Sequence, residues 1–333
     1  MPYLFRTTSP AGGILSVCLA LAAVLVPPAR GCAQDPGQPA TNLSLTSVLD
    51  GTPPGTGTYW FGYVQYYHAR GVTDGGGNRM GTARLNTTLY LQQLVYVSKA
   101  QLLGGNAGIT ALLPLVNINA SGEIVPGAGA LRANPGLMGD LVVGPNVQWF
   151  GRKLFGRPLG SRLEVDFILP TGSYDAGYPV NAGSNFFTIE PHYTFTYSIT
   201  PRLSTSQRHH YTYNFENPAN GYRTGQMYHA NYALEYRAFG TFRLAVIGYY
   251  LTQFTDDSYR GDEGHFRTRY NIANTRERVF AAGPGLSFIT PSGLFVELKS
   301  AIESAARNRP EGVRTTFRLI YRFKEAPMPH SPD

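Results

Sequence analysis

The sequence predicts a transmembrane antiparallel β-barrel of about twelve strands, an all-β fold. Three observations carry this. Apolar and polar residues alternate with period two in segments of about ten residues. The connections between those segments alternate between short and long. The composition is rich in aromatics and glycine and poor in charge, with 22 Tyr, 18 Phe, 38 Gly and 15% charged residues in 333.

The alternation is cleanest at the C-terminal end. In 313–323 one face carries Val313, Thr315, Phe317, Leu319, Tyr321 and Phe323, and the other Arg314, Thr316, Arg318, Ile320 and Arg322. In 185–199, Phe187, Ile189, Pro191, Tyr193, Phe195, Tyr197 and Ile199 oppose Thr188, Glu190, His192, Thr194, Thr196 and Ser198. Segments 227–238 and 241–254 repeat the design, with His229, Asn231, Glu235, Arg237 and Arg243 on their polar faces. Read this way, the strands fall near 58–68, 83–97, 105–118, 139–150, 160–170, 185–199, 201–215, 224–238, 241–255, 278–289, 293–304 and 313–323.

Thr200-Pro201, Phe239-Gly240 and Pro291-Ser292-Gly293 read as tight turns. Longer polar loops are expected at 69–82, 119–138, 171–184, 216–223, 256–277 and 305–312. Short turns on one side and long loops on the other are what an even-stranded barrel needs, with both termini on the short-turn, periplasmic side. A soluble sandwich would alternate too, with its apolar face inward. Against it stand the strand lengths, which exceed the usual five or six residues or so. Aromatics also collect near strand ends (Tyr59, Trp60, Tyr66, Tyr67, Trp149, Tyr211, Tyr213), as interfacial girdles do. The mean hydropathy of −0.17 is far too polar for a helical membrane protein.

Residues 1–33 read as a signal peptide. Arg6 is followed by an apolar run over 14–26 and the small-residue stretch PPARGCA, with cleavage expected after Ala33. The run is short of the roughly 20 residues that span a bilayer. Cys32 raises lipidation, but Arg30 fits a lipidation box poorly. Cys18 and Cys32 are the only cysteines, so the mature chain offers no disulfide and no thiolate. Losing Arg6 and Arg30 lowers the formal charge from +7 to +5, and no basic run points to nucleic acid. Residues 34–57, rich in Pro, Gly and Thr, read as a periplasmic leader or a short luminal plug. Residues 58–323 are the barrel, and 324–333 a polar tail.

Candidate channel-lining residues are those on polar strand faces: Arg314, Arg318, Arg322, Lys299, Glu297, Glu190, His192, Arg208, His210, His229, Glu235 and Arg243. They form either a cross-strand packing network or a charged constriction. Pro145, Pro191 and Pro284 fall within strands, the last between Gly283 and Gly285. Proline removes a ladder hydrogen bond, so these mark either bulges or a lateral opening in the wall. Asp256, Asp257, Asp262 and Glu263 cluster in the longest loop; arginines beside them favour a solvated loop over a calcium site. No metal site and no cofactor is expected. Ser206 and His210 share a strand face about 13 Å apart at 3.3 Å per residue, too far for a nucleophile and its base, so no enzyme is expected.

The chain also resembles the bacterial outer-membrane family named for the meta-pathway of phenol degradation. The resemblance is carried by YWFGYVQYYHARGVTDGGGNR (59–79), LLGGNAGITALLPLVN (102–117), GDLVVGPNVQWF (139–150), LPTGSYDAGYPVNAGSNFFTIEPHYTFTY (169–197), NFENPANGYRTGQMYHANYALEY (214–236), YYLTQFTDDS (249–258), RVFAAGPGLSF (278–288) and RNRPEGVRTTFRLIYRF (307–323). It implies an outer-membrane channel for small, often aromatic or hydrophobic, compounds. Outer-membrane lipid and the barrel-assembly machinery are then the expected partners. One departure is the polar tail after Phe323, where such barrels often end on the aromatic itself. A non-selective porin, a plugged structural barrel and a lipid-modifying barrel enzyme remain the alternatives.

Overall fold

A computed structural model describes residues 42–323, apart from 54 and 128. The expected signal peptide, the first part of the leader and the tail lie outside the described residues. The strands are β1 (Gly57–Thr73), β2 (Arg79–Met80), β3 (Arg84–Leu102), β4 (Gly105–Ser121), β5 (Leu141–Leu154), β6 (Arg157–Leu169), β7 (Thr188–Ser198), β8 (Leu203–Asn214), β9 (Tyr222–Arg223), β10 (Met227–Phe239), β11 (Phe242–Gln253), β12 (Ser258–Tyr259), β13 (Arg278–Ile289), β14 (Phe295–Arg307) and β15 (Pro310–Arg322). The two-residue strands β2, β9 and β12 and the helix α1 (His265–Tyr270) belong to loops. The twelve long strands pair antiparallel with their sequence neighbours. β15 then pairs with β1, from Tyr59↔Arg322 to Val72↔Pro310, and closes the barrel. Each of the twelve expected strands is present.

The outward faces are apolar. Val64, Tyr90, Leu94, Ile109, Leu113, Leu163, Leu234, Val246, Leu298 and Phe317 are all exposed, while Gln65, Glu164, Glu190, Arg208, Glu235, Glu297 and Arg318 are buried. That is the inverse of a soluble protein. A soluble sandwich would place the arginines outside and the leucines within.

The three expected tight turns all lie at the end of the barrel where β1 begins and β15 ends, the terminal end. Two more join them there. Leu103-Gly104 and Phe155-Gly156 each have both residues at positive φ (51° and 71°; 48° and 74°), the backbone of a two-residue hairpin turn. The expected long loop at 305–312 is a correction. β14 runs to Arg307 and β15 starts at Pro310, leaving Asn308-Arg309 as the turn. Asn308 takes the left-handed conformation (φ 52°) that asparagine tolerates, and its side chain bonds the Asn274 and Arg276 carbonyls. The hairpin therefore needs no glycine.

The prolines do not mark bulges. Pairing shifts register at Ala69/Gly71, Val97/Gln101, Trp149/Arg152, Arg237/Phe239 and Arg278/Phe280, never at a proline. Instead the ladder skips two residues on one side of each proline and resumes in the same register. The gaps fall at 144–145 facing β6, 190–191 facing β8 and 283–284 facing β14. On the other side each proline stays paired, with Ile109, Val165 and Val246 respectively. Proline has no N–H to give one neighbour, and the opposite face of the strand is untouched.

Candidate functional site: a luminal segment between two cavities

Residues 43–50 run through the lumen, and the polar wall grips their backbone. Ser44 N donates to Asn231 Oδ1 at 2.7 Å, Leu49 N to Glu235 Oε1 at 3.0 Å and Gly51 N to Thr196 Oγ1 at 2.9 Å. Lys299 Nζ donates to the Leu45 carbonyl (3.2 Å) and Ser47 Oγ (2.7 Å), and Arg318 Nη2 to the Val48 carbonyl (2.9 Å). Ser47 Oγ donates to Glu297 Oε1. Arg208 makes a two-pronged bond to Asp50, both arms 2.8 Å, with both side chains 5% exposed. Burial alone raises the Asp50 carboxyl, but Arg208, Arg162 and Arg318 outweigh it and hold it at about 2.

Each residue singled out from the sequence has a definite place. Glu297 binds Arg318 (2.7 Å) and Lys299 (3.2 Å). Arg314 lies 4.1 Å above the Tyr67 ring and reaches Gln65. Arg322 caps the terminal end, donating to the Thr56 carbonyl. Arg243 stands 3.8 Å from Glu235. Glu190 binds His229 and lies 2.8 Å from His210, whose ring sits tilted against that of His192 with centroids 4.7 Å apart. Ser206 is not joined to His210; its hydroxyl donates to Glu235. The loop carboxylates are dispersed: Asp256 pairs with Arg267 and Arg276, Glu263 with Arg223, and buried Asp257 accepts from Tyr222 and Gln253.

The inner wall is not uniformly polar, which the sequence reading missed. On β6–β8, β10, β14 and β15 it carries ionic side chains, while β11 and β13 turn Ile247, Leu251, Val279 and Ala281 inward onto Leu43 and Val48. On β3 and β4 it is apolar, because Leu85, Leu89, Leu91, Leu112, Pro114, Val116 and Ile118 face inward. Those leucines, with Asp166, Glu190, Arg309 and Arg314 opposite, enclose a cavity of about 240 Å³ towards the long loops. Leu45 packs against Tyr63 and Leu91 at its floor. A second cavity of about 380 Å³ opens at the terminal end, bounded by Val48, Leu49, Asp50, Tyr59, Phe61, Val95, Phe295 and Ile320. The luminal segment borders both.

Among solved structures, the chain is similar to an outer-membrane channel from Pseudomonas putida F1. The TM-score is 0.67 at 15% identity, covering 82% of this chain and 97% of that one, a likeness of fold. Weaker likenesses are to the transport unit of the autotransporter AIDA-I from Escherichia coli (TM-score 0.45, 10% identity, 90% and 99% covered) and to the translocator domain of the autotransporter NalP from Neisseria meningitidis (0.43, 10%, 81% and 89%). No curated protein matches. The sequence itself is more specific: residues 69–319 match the family described as the MetA pathway of phenol degradation. The chain belongs to that family.

Proposed function

We propose that the protein is an outer-membrane channel for the uptake of small apolar organic molecules, single-ring aromatics among them. The observation that carries this reading is the apolar inner wall of β3 and β4. A pore for hydrophilic solutes gains nothing from seven leucine, valine, isoleucine and proline side chains turned inward, where water has to wet them. A cavity of about 240 Å³ is in scale with one ring, since an apolar cavity of about 150 Å³ holds benzene. In this reading the long loops face the exterior, lipid covers the leucine-rich outer belt, and the assembly machinery inserts the barrel from the periplasm.

Residues 43–50 close the direct route, so exit is sideways or past them. Of the three ladder gaps, those at Gly144-Pro145 and Glu190-Pro191 adjoin the cavity, whose lining includes Val142, Asp166, Ile168 and Glu190. The Gly283-Pro284-Gly285 point does not line that cavity. Lateral release into the lipid is therefore assigned to the β5–β6 or the β7–β8 seam. An apolar solute leaving there avoids the periplasmic water, at about 25 cal/mol per Å² of apolar surface.

The test uses cells lacking the protein, complemented with the wild type or with Leu112→Asp. Uptake of a phenol-class solute and of a small sugar is followed in parallel. The aromatic should enter through the wild type and fall by more than about tenfold in the variant, as one buried charge costs several kcal/mol. Equal passage of sugar and aromatic, or an aromatic flux untouched by the charge, overturns the reading.

A further inference from the structure

We propose that Glu164, Asp166 and His192 form a binding site for one divalent first-row transition-metal ion on the inner wall. Glu164 and Asp166 are two residues apart on β6 and so share a face, and register sets His192 of β7 directly opposite Glu164. His192 Nε2 lies 3.6 Å from Glu164 Oε2 and 3.4 Å from Asp166 Oδ2. Donors about 2.0–2.2 Å from a tetrahedral ion stand about 3.3–3.6 Å apart. A hydrogen-bonded N–H···O pair would close to about 2.7–3.2 Å with the N–H aimed at the oxygen. Here neither contact is a hydrogen bond: His192 Nε2 is buried with no hydrogen-bond partner, and Glu164 Oε2 is ion-paired with the Arg162 guanidinium at 2.9 Å. His192 and Glu164 are each 2% exposed.

The surroundings fit the same purpose. Thr194 Oγ1 lies 3.5 Å from His192 Nδ1, on the side away from the carboxylates, which leaves Nε2 as the ligand atom. Gly144 faces the pair from β5. A Cβ there would collide with Asp166 Oδ1 and stand 2.7 Å from Glu164 Oε1, so the missing side chain is the room the carboxylates occupy. The charge is unbalanced. Glu164, Asp166 and Glu190 meet one unspent guanidinium, Arg162, 2.9 Å from Glu164 Oε2, because Arg208 is committed to Asp50. Three carboxylates against one guanidinium make a buried place rich in negative charge, a costly arrangement that one divalent ion offsets. The adjoining group Glu190, His210 and His229 also has ligand-type atoms close together, but Glu190 Oε2 already accepts from Thr212 and His229. Two carboxylates and one imidazole suit zinc, manganese, iron or cobalt. Asp166 also lines the upper cavity, so an open coordination position is within reach of water or an oxygen donor on a solute.

The experiment strips untagged, detergent-purified protein with a chelator and titrates it with Co²⁺, followed by visible absorption, with Zn²⁺ as competitor. One equivalent should bind and be displaced by zinc. His192→Ala and the double variant Glu164→Gln/Asp166→Asn should weaken binding by at least about 100-fold, the upper range for loss of even an outer-shell partner. His209→Ala, on the outer wall, should bind as the wild type. Gel mobility without heating reports that each barrel is folded, and His192→Gln replaces His192→Ala if the latter is not. Absence of saturable binding at one equivalent in the wild type overturns the proposal. So does binding that survives loss of His192, or that is abolished only by His210→Ala.

Discussion

Asp50→Asn should release the luminal segment. Asp50 and Arg208 are joined by two 2.8 Å bonds and both are almost fully enclosed, so solvent screens little of the interaction. Removing one member of such a pair leaves a buried, uncompensated charge and costs about 3–5 kcal/mol. At 1.4 kcal/mol per tenfold, the undocked fraction should rise by roughly a hundred- to several-thousand-fold. A thiol placed by Thr46→Cys reads this directly. Thr46 is buried, and its one hydroxyl bond is a long 3.4 Å contact to Asn42. The labelling rate of Thr46→Cys by a small thiol reagent should rise by that factor when Asp50→Asn is added, at unchanged unheated gel mobility. The same pair sets an acid limit. The Asp50 carboxyl sits at about 2 when docked, below its free value. Its contribution is thus fully present above about pH 4 and is lost as pH falls towards 2. Labelling within threefold of the parent would refute the idea that this ion pair locks the segment.

Glu297→Gln should destabilise the whole barrel, because Arg318 and Lys299 both lean on that buried carboxylate. A fall in unfolding temperature, at a cost of about 3–5 kcal/mol, checks it. Gly248→Ala should destabilise by about 1–3 kcal/mol, since the new methyl meets the Ala281 carbonyl and the Tyr232 hydroxyl; denaturant unfolding measures this. In the loop, burial raises the Asp257 carboxyl to about 6, although Gly225, Tyr222 and Gln253 pull it partly back. A raised folded value means loop order is greatest below about pH 4 and weakens as pH rises through 6. Proteolysis or hydrogen exchange at 254–277 should accelerate over that window, and Asp257→Asn should flatten the profile.

The strands that could be read from the sequence are those whose two faces meet different surroundings. β15 sets Arg314, Arg318 and Arg322 against Val313, Phe317 and Leu319, and β7 sets Glu190 and His192 against Ile189 and Tyr193, so period two shows. β3 does not separate this way. Leu85, Leu89 and Leu91 face the lumen while Tyr90, Leu94 and Tyr96 face outward, and an apolar residue on either face erases the contrast. The same lack of contrast hid the apolar half of the lumen. The luminal segment carries no periodic signal because its partners stand far off in sequence; Ser44 meets Asn231, 187 residues on. The Glu164, Asp166 and His192 group depends on one register between β6 and β7, and the sequence spacing of a Glu, an Asp and a His does not contain it.

The two-sided lumen has a mechanical consequence. The luminal segment is fastened chiefly by Thr196, Arg208, Asn231, Glu235, Glu297, Lys299 and Arg318, all on β7–β15. Towards β3 and β4 it offers the Leu45 side chain, which packs on Tyr63 and Leu91 with Leu89 and Leu112 beside them. A solute sliding down the leucine wall therefore competes with one apolar side chain, worth about 1.5–3 kcal/mol, and breaks none of the bonds to the polar wall. A hydrophilic solute finds on that wall only Thr87, Gln93 and Thr110 among the leucines, and beyond them must displace the ionic contacts, each buried and each costlier to open. Under the proposed function, selectivity for apolar molecules follows from which side of the segment is tied down, without any site that recognises a particular ring.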